Sequence, residues 1–381
     1  MNKKRIILIC ASIFVIVLVA VATYKWSGFF DKEVVASPSE EIIEDKTDRL
    51  NIKMVGDDLI HNTIYFAART EDGYDFDMLF DNVRDDISKA DVAIINQETI
   101  FVKDPKRYSS YPAFGSPMQV GDSVVKAGFD VVTHATNHTL DKGVSGITDT
   151  LEFWREKYPE IEVLGIHSSP DESKISYLEK NNIKLSFVNY TYGLNGFTLP
   201  KDKGYMIDLL GNDEELKENV RTAKENSDVM IAILHIGTEY VYKPTKYHKK
   251  YVDMCIDNGA DIVICAHPHV LEPYKMVTTE NGNTGLVYYS LGNFISNQRK
   301  ISTLLGGMAD ITLERNEDGS VEIKDYSLIP LVTHYTDDYY TTYKLKDYTD
   351  ELAAQHRISR TENFSTEILW KLFNEIMNTE V

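Results

Sequence analysis

From Leu50 onward the sequence predicts an α/β domain, on three observations. Short apolar runs alternate with stretches whose apolar residues fall at helical spacing. Five of the apolar runs end in a residue of metal-ligand type, which suits the carboxyl ends of strands in a layered α/β protein. And 381 residues with 43% hydrophobic and 11% aromatic content are enough to build a large core.

The expected strands are, in order, "NIKMVGD", "ADVAIINQE", "DVVTHATNH", "KLSFVNYTY", "DVMIAILHIG", "ADIVICAHPH" and "GLVYYSLGNF". Each combines β-branched and aromatic residues with flanking Gly, Asp or Asn. Helical spacing marks "FDMLFDNVRDDISKA", "ITDTLEFWREKY" and "KYHKKYVDMCIDNG". The segment "TENFSTEILWKLFNEIMN" predicts a final amphipathic helix, and "THYTDDYYTTY" a packed or edge strand. No internal repeat or low-complexity tract interrupts this pattern.

Before the domain, Lys3, Lys4 and Arg5 precede an uncharged run from Ile6 to about Ala22. The run approaches the length that spans a bilayer, and the basic flank keeps the N-terminus cytoplasmic. A single-pass membrane protein with an extracytoplasmic C-terminal domain is the expectation. The alternative is secretion after signal cleavage near Ala22, because Ala20 and Ala22 form an Ala-x-Ala pattern. The expected organisation is a cytoplasmic N-terminus (1–5), an anchor (6–23), an acidic stalk (24–48), the main domain (49–345) and a helical tail (346–381). A formal charge of −19, from 40 basic and 59 acidic residues, excludes nucleic acid as a partner. Cys10, Cys255 and Cys265 suggest neither a disulfide framework nor a cysteine metal site.

The strand ends carry the chemistry. Asp57, then Asn96 and Glu98, then Asn137 and His138, then His235, then His267 and His269 close five separate apolar runs. Carboxylate, amide and imidazole together suit Mn, Fe or Zn better than Ca or Mg. The candidates exceed what one tetrahedral ion needs, so one or two divalent ions are expected; two ions about 3.5–4 Å apart clamp a phosphoryl group and activate a water. In "AHPH" the proline is expected to hold the loop extended, so that alternation projects both imidazoles to one side.

The motifs "GDDLIH", "NQET", "ATNHTLDKG", "LHIGTEY", "GADIVICAHPH" and "YSLGNF" occur in the order seen in the CapA, or PgsA-like, family of poly-gamma-glutamate capsule synthesis proteins, which this chain resembles over about residues 50–335. That family is similar to the calcineurin-like metallophosphoesterases. The resemblance therefore implies a four-layer α-β-β-α sandwich with a dinuclear metal site at one end. It implies Asp57, Glu98, Asn137, His235, His267 and His269 as metal ligands, Glu98 standing where that pattern has a bridging aspartate. It implies His138 as the group that approaches the leaving group. The pattern's histidine two places after the first aspartate is Leu59 here, and His61 is the candidate to replace it from a turn, unless it is an ordinary loop histidine. The pattern's glycine before the first histidine of "HPH" is Ala266.

Asp141 is placed to orient His138 or, alternatively, to favour the N-terminus of the following helix. Asn96, Tyr192, Asn195 and Glu239 are the candidate substrate contacts, the tyrosine and second asparagine from "NYTYGLNGF" and the glutamate from "IGTEY". Turn chemistry, a surface ion pair and a buried structural amide are the competing roles for these residues. The expected function is a metal-dependent hydrolase or transferase acting on a capsule polymer or a phosphoester. The alternatives are a non-catalytic scaffold among the membrane subunits of a polymer synthase, or a general metallophosphodiesterase.

Overall fold

The computed structural model describes residues 48–380, and the expected cytoplasmic segment, anchor and nearly all of the stalk lie outside them. Among the described residues no helix is long and apolar enough to cross a membrane. The described residues form fourteen strands in chain order: β1 (Arg49–Asp58), β2 (Val92–Gln97), β3 (Val131–Thr133), β4 (Glu162–Leu164), β5 (Ser176–Lys180), β6 (Ile183–Thr191), β7 (Val229–His235), β8 (Ile262–Ala266), β9 (Leu271–Thr278), β10 (Thr284–Leu291), β11 (Asn293–Ile295), β12 (Leu305–Arg315), β13 (Val321–Tyr335) and β14 (Tyr340–Lys344). They form two mixed sheets, one ordered β14-β13-β12-β1-β2-β3-β4 with β11 also paired to β1, the other β5-β6-β7-β8-β10-β9.

Alternation along the strands explains how the sheets meet. On β7, Val229, Ile231 and Ile233 share a core cluster with Ile52, Met54 and Ile94 of the first sheet. Met230, Ala232 and Leu234 instead join a second cluster with Leu216 and Val220 of the helix Asp213–Glu225 and with Val252 of the helix Lys246–Asp257. The second sheet is thus packed on the first through one face and on helices through the other. Central strands covered on both faces read as continuous apolar runs, and all residues of β2 and β7 are buried. Helices Gln119–Ala127 and Gly143–Lys157 join the first sheet's core through Val120, Val124 and Trp154. Residues after 345 belong to the same compact unit, Thr47–Val381, and Leu369 and Ile376 of the helix Thr366–Met377 are buried in the main core.

Three expected elements are divided. The run 76–90 yields only a turn of 3-10 helix, Asp77–Leu79, and a short helix, Arg84–Ser88. The strand expected through His138 stops at Thr133, because side chains take over the backbone groups that follow: the Thr139 hydroxyl donates to His134 O and accepts from Thr136 N, and Thr136 Oγ1 accepts from His138 N. The run "GLVYYSLGNF" breaks at Gly292, φ +61, so that β10 stays in the second sheet and β11 crosses to pair with β1 in the first. That crossing places Asn293 beside Asp57.

Candidate metal centre

A bulge decides which way Asp57 points. Along β1, Ile52 and Met54 face the second sheet, and simple alternation would send Asp57 the other way. Pairing with β2 runs Val55↔Ile95 and then Asp57↔Asn96, which leaves Gly56 as an extra residue and returns Asp57 to the inner face. Only glycine serves there, since a Cβ on residue 56 would lie 1.9 Å from Gly292 O. The same approach lets Asp57 N donate to Gly292 O at 2.9 Å.

Around Asp57 the amides form a fixed layer. Thr133 Oγ1 donates to Asn96 Oδ1 at 2.7 Å, turning Asn96 Nδ2 toward Asp57 Oδ1 at 2.7 Å and His235 Nδ1 at 3.3 Å. Asn96, expected at the substrate, is therefore a buried amide that orients two candidate ligands. His235 Nε2 meets Asn137 Oδ1 at 2.8 Å, and Asn137 Nδ2 donates to Asn195 Oδ1 at 3.1 Å.

The "HPH" loop departs from its expected conformation. His267 and His269 both adopt positive φ, +104° and +58°, so the rings converge through left-handed backbone rather than through strand alternation. Contacts beyond the loop maintain this: Tyr240 N donates to Pro268 O at 2.8 Å, and Pro268 packs where a Cβ on Gly237 would lie, 2.6 Å from its Cγ. His269 Nδ1 lies 3.0 Å from both Asp57 Oδ2 and Asn293 Oδ1.

Glu98 sits between these groups, 1% exposed, with neither carboxylate oxygen hydrogen-bonded. Its oxygens lie 3.7 Å from His235 Nε2, 3.8 Å from His269 Nδ1 and 3.9 Å from His138 Nε2. Burial, and then the charge of Asp57, hold its pKa well above the usual carboxylate range. Burial and the neighbouring imidazoles hold His235 and His267 well below the usual histidine range. At His269 burial opposes protonation, but Glu98 and Asp57 outweigh it and raise the pKa to about 9. Among the described residues three overlapping sets can hold a metal: Asp57, Glu98 and His269; Glu98, His235 and His267; and Glu239, His267 and His269, each with ligand atoms within 4.8 Å of one another. The unpartnered Glu98 oxygens and His267 Nδ1 are what a divalent cation would satisfy, so these residues fit the group.

A cleft of 340 Å³ opens over the centre, lined among others by His61, His138, Glu239, Tyr240 and His269. His138 Nδ1 meets Asp141 Oδ2 at 2.7 Å, which leaves Nε2 toward the centre. The same Asp141 oxygen accepts from Phe114 N at 2.6 Å, while the helix Gly143–Lys157 has no side-chain cap; Asp141 orients His138 rather than the helix. His61 lies on the cleft wall outside the three sets, its Nδ1 3.0 Å from Leu59 O and 3.2 Å from Asn297 N, and burial lowers its pKa to about 4. The Tyr192 ring lies 4.5 Å from that of His267, and Asn195 Nδ2 is 3.4 Å from His138 Nδ1. Glu239 is exposed and makes no ion pair among the described residues.

The segment "GNFISNQRK" completes the wall, and no residue of it was expected to act. Asn293 Nδ2 donates to Gln298 Oε1, Gln298 Nε2 donates to Tyr240 OH at 3.4 Å, and Lys300 Nζ stands 4.3 Å from the Tyr240 ring centroid. The available signal was a Gly-Asn step closing an apolar run, the same form as the Gly-Asp step at Asp57.

Comparison with known proteins places these residues in a wider set. The profile of the family described as bacterial capsule synthesis protein PGA_cap matches residues 51–298. The PGA biosynthesis protein CapA of Bacillus subtilis (strain 168) is 30% identical over 196 residues, 51% of this chain and 50% of that protein. The capsule biosynthesis protein CapA of Bacillus anthracis is 26% identical over 263 residues, 66% of this chain and 61% of that protein. The matches therefore span about half to three-fifths of those relatives. Among solved structures, a phosphatase of Mycoplasma pneumoniae superposes with a TM-score of 0.45 at 15% identity, over 74% of this chain and 94% of that one.

Proposed function

This chain belongs to the bacterial capsule synthesis protein family, and on that premise we propose that it is a membrane-attached protein working outside the cytoplasm, with a metal-dependent hydrolase or transferase site that acts on poly-gamma-glutamate during assembly, export or release. The observation that carries this is Glu98: a buried carboxylate with both oxygens unpartnered, shared by two ligand sets. Kinship with the calcineurin-like metallophosphoesterases belongs to the same proposal, supported by the chain order Asp57, Glu98, Asn137, His235, His267, His269.

One or two divalent ions of Mn, Fe or Zn, when bound, would supply Lewis-acid polarisation of a phosphoryl or carbonyl oxygen and acidify water. Asp57, Glu98 and His269 would hold one ion, and Glu98, His235 and His267, with Asn137, the other. Asn96 keeps Asp57 and His235 in place. Asp141 retains the proton on His138 Nδ1, so that Nε2, when protonated, can deliver a proton to a leaving group in the cleft. Glu239 borders the path by which a chain would approach, together with the exposed rim aromatics Tyr111 and Tyr240, while Tyr192 and Asn195 stand against His267 and His138.

The test is elemental analysis of the purified protein beside Glu98→Ala and His267→Ala, followed by assay of γ-linked glutamate oligomers. One or two equivalents of transition metal, lost in both variants, with turnover lost in parallel, is the expected result. Leu59, in place of a histidine, favours a second reading, a non-catalytic scaffold for membrane synthase subunits. Full polymer production by cells carrying Glu98→Ala would install that reading instead. Broad turnover of small phosphoesters with none of γ-glutamyl chains would install a general metallophosphodiesterase.

A further inference from the structure

A second cavity, of 450 Å³, is lined by Arg299, Tyr335, Arg357 and Arg360, and Arg299 also lines the 340 Å³ cleft over the metal centre. One guanidinium is therefore common to both. Arg299 is exposed and makes no ion pair among the described residues. Its charge is felt on both sides, at His61 in the cleft and at Tyr335 in the second cavity.

We propose that the two cavities form one extended groove for an acidic polymer chain, with the chain's reacting linkage at the metal centre, Arg299 gripping the next anionic groups, and Arg357 and Arg360 forming a distal subsite. This deepens the function proposed above and rests on it.

Charge supports it first. A molecule of net charge −19 repels a polyanion over most of its surface, so a polyanion enters only where cations gather. Three arginines meet at this cavity, and Lys300 follows Arg299 in the chain. Their local counter-charges are Asp337 and Glu362. Asp337 takes both Arg360 contacts, at 2.8 and 2.9 Å, and lies 3.5 Å from Arg357 Nε. That pairing is at the surface, with the Arg360 and Asp337 side chains 60% and 59% exposed. Exposed pairs are screened by solvent and contribute little, so an incoming carboxylate can exchange with Asp337 at little cost. Guanidinium groups also hold carboxylates in a bidentate fork, which suits a chain bearing one carboxylate per unit.

Anchoring supports it second. Arg299 follows Asn297 and Gln298, whose contacts to His61 and Tyr240 fix the segment to the cleft wall. Arg357 and Arg360 lie on the 3-10 helix Arg357–Arg360, held by His356 Nδ1 accepting from Ile358 N at 3.0 Å. The guanidiniums thus extend from ordered backbone rather than from a loose tail.

The experiment measures binding of fluorescently labelled γ-glutamate oligomers of about three and about ten residues to the full-length protein, where the longer reaches at least on the order of 30 Å when extended. Affinity should rise at least about tenfold from the short to the long oligomer and fall with salt, and a neutral γ-glutamine oligomer should not compete. Arg299→Gln should weaken both oligomers. The pair Arg357→Gln and Arg360→Gln should weaken the long one by about tenfold and the short one much less, with only partial recovery in the double lysine variant, which restores the charge but not the fork. Wild-type protein showing no gain with length, or competition by the neutral oligomer, would overturn the groove, as would equal losses at both lengths in the double glutamine variant. Metal retained and short oligomers cleaved without a length effect would sink the groove alone. A length effect that depends on the arginines, in protein that holds no metal, would sink the metal-dependent reading alone.

Discussion

Two histidine pairs in this molecule share burial and spacing and differ in everything else. His267 and His269 have ring centroids 5.8 Å apart, and His334 and His356 5.3 Å apart; all four residues are at most 3% exposed. The second pair is satisfied: His334 Nδ1 meets Tyr348 OH at 2.7 Å, His356 Nε2 meets Thr333 O at 3.2 Å, and Ile358 N donates to His356 Nδ1. Aromatic rings of Tyr335, Tyr348 and Phe364 surround it. The first pair faces two carboxylates, keeps one ring nitrogen unpartnered, and is held in left-handed backbone. Burial and proximity of histidines are therefore not the mark of a site. The mark is convergent polar atoms that the protein itself leaves unsatisfied, because such groups are costly unless a ligand completes them.

The sharpest contrast is metal content. His267→Ala or Glu98→Ala should reduce bound metal to near zero and turnover by a thousandfold or more, on the order of what metal-assisted chemistry supplies. His356→Ala should keep the full metal stoichiometry, and elemental analysis of the three variants in parallel checks this. Stability should run the other way. His356→Ala should lower the unfolding free energy by about 2–4 kcal/mol, through a cavity and lost hydrogen bonds. Metal-free Glu98→Gln should gain about 1–3 kcal/mol, since it removes a buried, unpaired acid. Urea unfolding of metal-stripped protein measures both.

Next in size are the residues that orient ligands without facing the cleft. Asn96→Ala and Asn293→Ala should each weaken metal affinity by about 10- to 100-fold, read by competition with a chelating dye. An unchanged affinity in Asn293→Ala would remove the β11 crossing from the site. The effect confined to acid is a pH dependence of the satisfied pair. Burial holds His334 at about 4 and His356 at about 3, against 6.5 for an ordinary histidine. The unfolded chain therefore binds more protons than the folded one between about pH 6.5 and 3, so stability falls as pH drops through that window. Each histidine contributes up to about one proton to the slope, and His356→Ala should remove one of them.

The sequence by itself determined the ligand types, their order, and most of the strands that carry them. Apolar runs ending in Asp57, Asn96, His235 and the "HPH" loop are legible because strand burial leaves a local pattern. It missed the helix Asp213–Glu225, whose buried positions Leu216, Val220 and Ala223 stand among charged residues, and the long pair β12–β13. Tertiary structure decided the rest. Asp57 turns inward only because a bulge at Gly56 fits against Gly292 O, and it meets His269 across 212 residues of chain. The left-handed turns at His267 and His269 depend on Pro268 packing against Gly237. Arg299, Arg357 and Arg360 come together only when the end of the chain folds back. The physical reason is range. Periodicity and propensity act over a few residues, whereas a bulge, a positive φ or a shared cavity is imposed by neighbours that only the folded chain supplies.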